Sequence, residues 1–141
     1  MGTKKNNILL VEDSSDDIEL IKRKIRSNNI ECELVIAKNG EEALNYLYRN
    51  KKYSDKEKFP DPDLILLDIR MPKVNGIEVL KAINADKKLK NIPVVMLTVS
   101  TIENDIFESF DNGCKNYITK SVGFERFEDT LKPVINYYLS R

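Results

Sequence analysis

Short apolar runs alternate along this chain with longer amphipathic stretches. Residues 7–11 (Asn-Ile-Leu-Leu-Val) have strand length and end on Glu12 and Asp13. Residues 16–28 place Ile18, Ile21 and Ile25 at helical spacing, with Ser14 or Ser15 to cap the start. Residues 33–37 alternate as a second short strand, and Asn39-Gly40 turns into a second helix carrying Ala43, Leu44 and Leu47. Residues 49–62, with four lysines and two prolines, predict a long polar loop. A third strand is expected over 63–68 and a third helix over 76–85, through Val79, Leu80 and Ile83. Residues 92–98 read as a continuous apolar strand, and 102–112 as a helix stopped by Gly113. Tyr117, Ile118 and Thr119 fall in a fifth strand. The last helix, over 124–139, has Phe127, Leu131 and Ile135 on one face, and Pro133 is expected to interrupt it.

Strands alternating with helices predict an α/β fold: a doubly wound, five-stranded parallel sheet with helices on both faces. Strands 1, 3 and 4 are the most continuously apolar, so they belong in the middle, in the order 2-1-3-4-5. Cys32 and Cys114 then fall on strands 2 and 5, the opposite edges. Four spacings of about 4.8 Å separate them by roughly 19 Å, too far for a disulfide.

The stretch "DLILLDIRMP" (63–72) sets an ionisable group against a buried strand. A carboxylate beside an apolar run costs several kcal/mol unless it is paired or liganded. In open parallel sheets, sites form beyond the carboxyl ends of the strands, where strand order reverses. The 2-1-3-4-5 order brings Asp68 beside Glu12 and Asp13 at such an edge. Three crowded carboxylates repel one another, and a hard divalent cation, Mg²⁺ (or Mn²⁺), removes that repulsion. Thr98 ends strand 4 and Lys120 follows strand 5. A hydroxyl and an ammonium beside an acidic metal site suit a phosphoryl group.

Composition sharpens the picture by exclusion. Of 141 residues, 23 are Lys or Arg and 23 are Asp or Glu, so the chain is formally neutral and lacks the basic excess of a dedicated nucleic-acid binder. No apolar stretch approaches the ~20 residues of a membrane span, and no signal-peptide core follows the N-terminus. A cytoplasmic, single-domain protein over 1–141 is expected, with no output domain. The chain contains no histidine, which excludes Ser-His and Cys-His nucleophile pairs and any phosphohistidine of its own.

The segments "LLVEDS", "LILLDIRMPKVNG", "PVVMLTVS" and "NYITKS", in this order and spacing, resemble the receiver domain of bacterial two-component response regulators over essentially the whole chain. The resemblance implies a flavodoxin-like fold in which Asp68 accepts a phosphoryl group from a sensor histidine kinase or a histidine phosphotransfer protein. It implies a metal held by Glu12, Asp13, Asp68 and the main-chain carbonyl of Arg70. It further implies that Thr98 bonds the phosphoryl group, Lys120 pairs with it, and Tyr117 changes rotamer on activation. Such a protein is not an enzyme beyond its own phosphorylation and dephosphorylation. Its output is protein–protein contact through the surface of the fourth helix, fifth strand and last helix, with homodimerisation there and phosphorelay to a histidine phosphotransfer protein both open. The 49–62 loop and the tail ending at Arg141 look most like small stand-alone regulators that partner phytochrome-type histidine kinases.

Four positions depart from the family pattern. Ser121 follows Lys120 where a cis-bonded proline is common, and a cis non-proline bond costs ~2.5–4 kcal/mol, which leaves the isomer of this bond open. Val99 follows Thr98 where a small residue is usual. Pro133 lies in the last helix. Arg70, two residues past Asp68, is expected to point to the same side, either to pair with Glu12 or Asp13 or to shield the phosphoryl group; shielding is the favoured reading. Two other readings compete with the receiver. A phosphorylation-independent interaction module would need only the fold. An aspartate-nucleophile phosphatase would need Asp where Arg70 stands.

Overall fold

The computed structural model describes residues 6–71, 74–98, 102–120 and 127–139, side chains of 127–130 excepted. Five strands run parallel: β1 (Asn6–Val11), β2 (Cys32–Ala37), β3 (Leu64–Leu67), β4 (Val94–Thr98) and β5 (Asn116–Thr119). Their order is β2-β1-β3-β4-β5, as expected. The helices are α1 (Ser15–Ser27), α2 (Gly40–Leu47), α3 (Gly76–Ala85), α4 (Glu103–Asp111) and α5 (Phe127–Leu139). None is long and apolar enough to cross a membrane among the described residues.

Period-two alternation splits the central strands between two cores. Leu9, Val11, Ile65, Leu67 and Met96 pack with Ala43, Tyr46, Val79, Leu80 and Ile83 on the α2–α3 side. Ile8, Leu10, Leu64, Leu66, Val95 and Leu97 pack with Ile18, Ile21, Ile25, Leu131 and Ile135 on the α1–α5 side. Both faces of β1, β3 and β4 are therefore buried, and this is why those strands read as continuous apolar runs. Truncating one of these leucines to alanine costs ~2–5 kcal/mol.

Three helices start on the same chemistry. The side chains of Ser14, Asn39 and Asn75 accept from the backbone N–H of Asp17, Glu42 and Glu78, at 3.2, 2.8 and 3.0 Å. Each of those acceptors is three residues before an acidic residue, a favourable charge for a helix N-terminus. At the opposite end of the sheet Asp63 joins β1 to β3, its Oδ2 accepting from Asn7 N–H at 2.7 Å.

Several sequence expectations need correction. The 49–62 segment is not a simple polar loop. It contains a 3₁₀ turn at Lys51–Ser54, and Tyr46, Tyr53 and Phe59 form an aromatic cluster with centroids 4.9–5.8 Å apart. Arg49 donates to the carbonyls of Tyr53 and Phe59 and to Asp61, and Tyr46 Oη donates to the carbonyl of Pro60. Aromatic residues spaced six to seven apart carry no helical or strand period, so the sequence pattern hid this packing. Pro133 does not interrupt the last helix, which runs on through it. β3 ends at Leu67, so Asp68 and Arg70 lie in the loop beyond it. Cys114 precedes β5 rather than lying in it; it is buried, its N–H donating to Ser109 O at 3.0 Å. No disulfide joins Cys32 and Cys114. Pro72, Val99, Ser121 and the expected start of the last helix at Phe124 lie outside the described residues.

Candidate phosphoacceptor site

The carboxyl ends of β1, β3 and β4 position the site. Val11 pairs in register with Leu67, and Leu67 with Met96. One step past the ladder, Asp68 N–H donates to Val11 O and Glu12 N–H to Ala37 O, each at 3.0 Å. These bonds bring the side chains of Glu12, Asp13 and Asp68 together at the sheet edge. Carboxylate oxygens of the three lie within 4.8 Å of one another. Glu12 and Asp68 are buried and Asp13 is exposed.

Glycine makes the next turn sterically feasible. A Cβ on Gly76 would stand 2.0 Å from the carbonyl oxygen of Asp68, and one on Gly40 would stand 2.0 Å from that of Val74. The first turns of α3 and α2 thus press against the two ends of the loop that carries Asp68. Gly76 N–H closes the turn by donating to Ile69 O at 2.9 Å.

Lys120 arrives from the end of β5, where its N–H donates to Thr98 O at 2.7 Å. Its buried ammonium donates to Glu12 Oε1 and, at 2.9 Å, to Asp17 Oδ2. Asp68 Oδ2 lies 3.7 Å away, an ion pair beyond hydrogen-bond reach. Burial works against the Lys120 charge, but Glu12, Asp17 and Asp68 outweigh it and raise its pKa. Burial likewise pushes Glu12 up to about 7; the Asp68 charge adds to the rise, while Lys120 opposes it.

Asp68 Oδ1 is buried and has no hydrogen-bond partner among the described residues. A bare carboxylate oxygen among two further carboxylates is costly with protein donors alone and fits a hard divalent cation. The donor set is all oxygen, as such a cation requires. The same edge holds buried Thr98, while half-buried Tyr117 packs against the α2–α3 core. An aspartate with a bare oxygen, two acidic neighbours, a hydroxyl and a buried ammonium is chemistry for a phosphoryl group.

Comparison with known proteins decides the family. The response regulator receiver domain profile matches residues 8–132. This chain belongs to the response regulator receiver family.

The receiver is 37% identical over 132 residues to the response regulator Rcp1 of Synechocystis sp., covering 94% of this chain and 88% of that protein. Its fold superimposes with a TM-score of 0.89 on the phosphorylated cyanobacterial phytochrome response regulator RcpA, at 39% identity, covering 97% and 96% of the two chains. The Mn²⁺-bound form of Rcp1 matches with a TM-score of 0.86 at 36% identity, covering 95% and 94%. The flavodoxin-like fold and the membership in the two-component regulators expected from sequence both hold for this chain.

Two placements differ from expectation. Arg70 neither pairs with Glu12 or Asp13 nor turns over Asp68. Its Nη2 donates to Asp105 Oδ2 on α4 at 2.6 Å. Strand alternation does not apply to it, because β3 has already ended and the loop turns the side chain toward α4. Asp17, inside the helix expected over 16–28, carries no expected role at the site, yet it is one of the two carboxylates that receive hydrogen bonds from Lys120. Its signal was present in the three-residue spacing from Ser14, which places it in the first turn of α1 above the sheet edge.

Proposed function

We propose that this receiver accepts a phosphoryl group on Asp68 from a sensor histidine kinase, of phytochrome type, or from a histidine phosphotransfer protein. The carrying observation is the buried Oδ1 of Asp68, without a hydrogen-bond partner among the described residues, beside Glu12, Asp13 and Lys120. An Asp68 oxygen attacks phosphorus; the new O–P bond forms as the P–N bond to the donor histidine breaks, and the electron pair leaves with the imidazole. Lys120 balances charge on the phosphoryl oxygens, and the Thr98 hydroxyl donates to one of them. Glu12, Asp13, Asp68 and the Arg70 main-chain carbonyl would hold Mg²⁺ or Mn²⁺, which when bound neutralises the converging negative charge.

Residues 1–141 act in this reading as one cytoplasmic receiver domain that turns over no separate substrate and contacts neither nucleic acid nor membrane. Thr98 and Tyr117 couple the site to the α4–β5–α5 surface by a population shift. Ile102 before α4, Phe107 and Phe110 on it, and Tyr137 on α5 are exposed, which supports output through that surface, including a homodimer. Incubation with acetyl phosphate and Mg²⁺, followed by intact mass measurement, tests the assignment. The wild type gains one phosphate mass and Asp68→Asn gains none; a stoichiometric gain by the variant overturns Asp68 as the acceptor.

A further inference from the structure

We infer that Asp17 is a positioning residue for Lys120, holding its ammonium back from Asp68 until a phosphoryl group is present; this rests on the phosphoacceptor reading above. The side chain of Lys120 is 2% exposed, so its head cannot turn to water and is shared among the carboxylates around it. Two of those, Glu12 and Asp17, receive its hydrogen bonds, while Asp68 is left at 3.7 Å. Asp17 is joined to the site through a closed ring of contacts. Its own N–H donates to Ser14 Oγ at 3.2 Å, and Ser14 N–H donates to Glu12 Oε2 at 3.2 Å. Lys120 closes the ring by bridging Glu12 and Asp17.

The N-cap of α1 holds the Asp17 backbone, which sets its carboxylate within hydrogen-bond reach of Lys120. A phosphoryl group on Asp68 brings more negative charge and new acceptor oxygens within reach of the same ammonium. Lys120 then leaves Asp17, and the first turn of α1 loses its tie to the end of β5. Asp17 thus opposes the step that Lys120 assists, and it makes α1 responsive to the state of Asp68.

The test compares wild type with Asp17→Ala, Asp17→Glu and Asp16→Ala. Asp16 is exposed on the same turn and removes an equal charge without touching Lys120. Two quantities are read: kcat/KM for phosphorylation by acetyl phosphate, and the Lys120 Nζ to Asp68 distance in crystals of the unphosphorylated, metal-free protein. In Asp17→Ala the ammonium moves into hydrogen-bond reach of Asp68 and kcat/KM rises several-fold. Asp17→Glu and Asp16→Ala stay close to wild type. An unchanged 3.7 Å separation in Asp17→Ala, or an equal rate gain in Asp16→Ala, overturns the inference. If the wild type is not phosphorylated at all, the phosphoacceptor reading fails, and the crystal distance alone still decides the positioning role.

Discussion

The carbonyl oxygen of Asp68 occupies the space that a side chain on Gly76 would need, 2.0 Å from where its Cβ would stand. The obstacle is backbone, which cannot swing aside as a side chain can. Gly76→Ala is therefore expected to destabilise the fold by about 3 kcal/mol, the upper part of the range for overpacking. It should also displace Asp68 and slow its phosphorylation. Urea unfolding with an unchanged m-value measures the first effect, and intact mass after acetyl phosphate the second. A loss below about 1 kcal/mol would show that the loop yields easily.

Arg70 and Asp105 join the Asp68 loop to α4 across 35 residues. The Arg70 side chain is 56% exposed and that of Asp105 16%, so solvent screens much of the attraction. A double-mutant cycle with Arg70→Ala and Asp105→Ala should return less than ~1 kcal/mol of coupling, falling further in high salt. A larger, salt-independent coupling would mark the pair as a structural strut.

The Arg49–Asp61 pair should make the 49–62 segment sensitive to acid. The Arg49 hydrogen bond holds Asp61 below its ordinary 3.8. A carboxylate with a depressed folded pKa stabilises fully above its unfolded value, and that contribution is lost as pH falls through the folded pKa. Asp61→Asn should therefore cost at most ~1 kcal/mol at neutral pH, since the Asp61 side chain is 62% exposed. The difference from wild type should begin to shrink as pH falls past 3.8 and vanish only below the folded pKa, which lies lower. Parallel thermal melts across the acid range check this; a penalty that persists there would implicate packing instead.

The two thiols should differ in reactivity. Burial pushes Cys114 up to about 11, so almost none of it is thiolate at mildly alkaline pH, and access is closed as well. Cys32, half-buried on edge strand β2, should alkylate first. Brief iodoacetamide treatment of the native protein should add one mass increment, and treatment in denaturant two. Equal labelling of both in the native state would place Cys114 nearer the surface.

The sequence by itself determined the alternation of strands and helices, the central place of β1, β3 and β4, and the convergence of Glu12, Asp13, Asp68, Thr98 and Lys120 at one edge. Those features rest on local periodicity and on a strand order that follows from which runs are apolar on both faces, and such information is written along the chain. Tertiary structure alone decided that Arg70 meets Asp105, that Lys120 is shared between Glu12 and Asp17, and that Tyr46, Tyr53, Phe59 and Arg49 turn an apparently polar loop into a packed one. Each of these is a side-chain choice among several partners within reach. That choice is set by where β3 stops, how α1 is capped and how closely the glycine-started helices approach the loop, and none of these distances has a period that a one-dimensional pattern can carry.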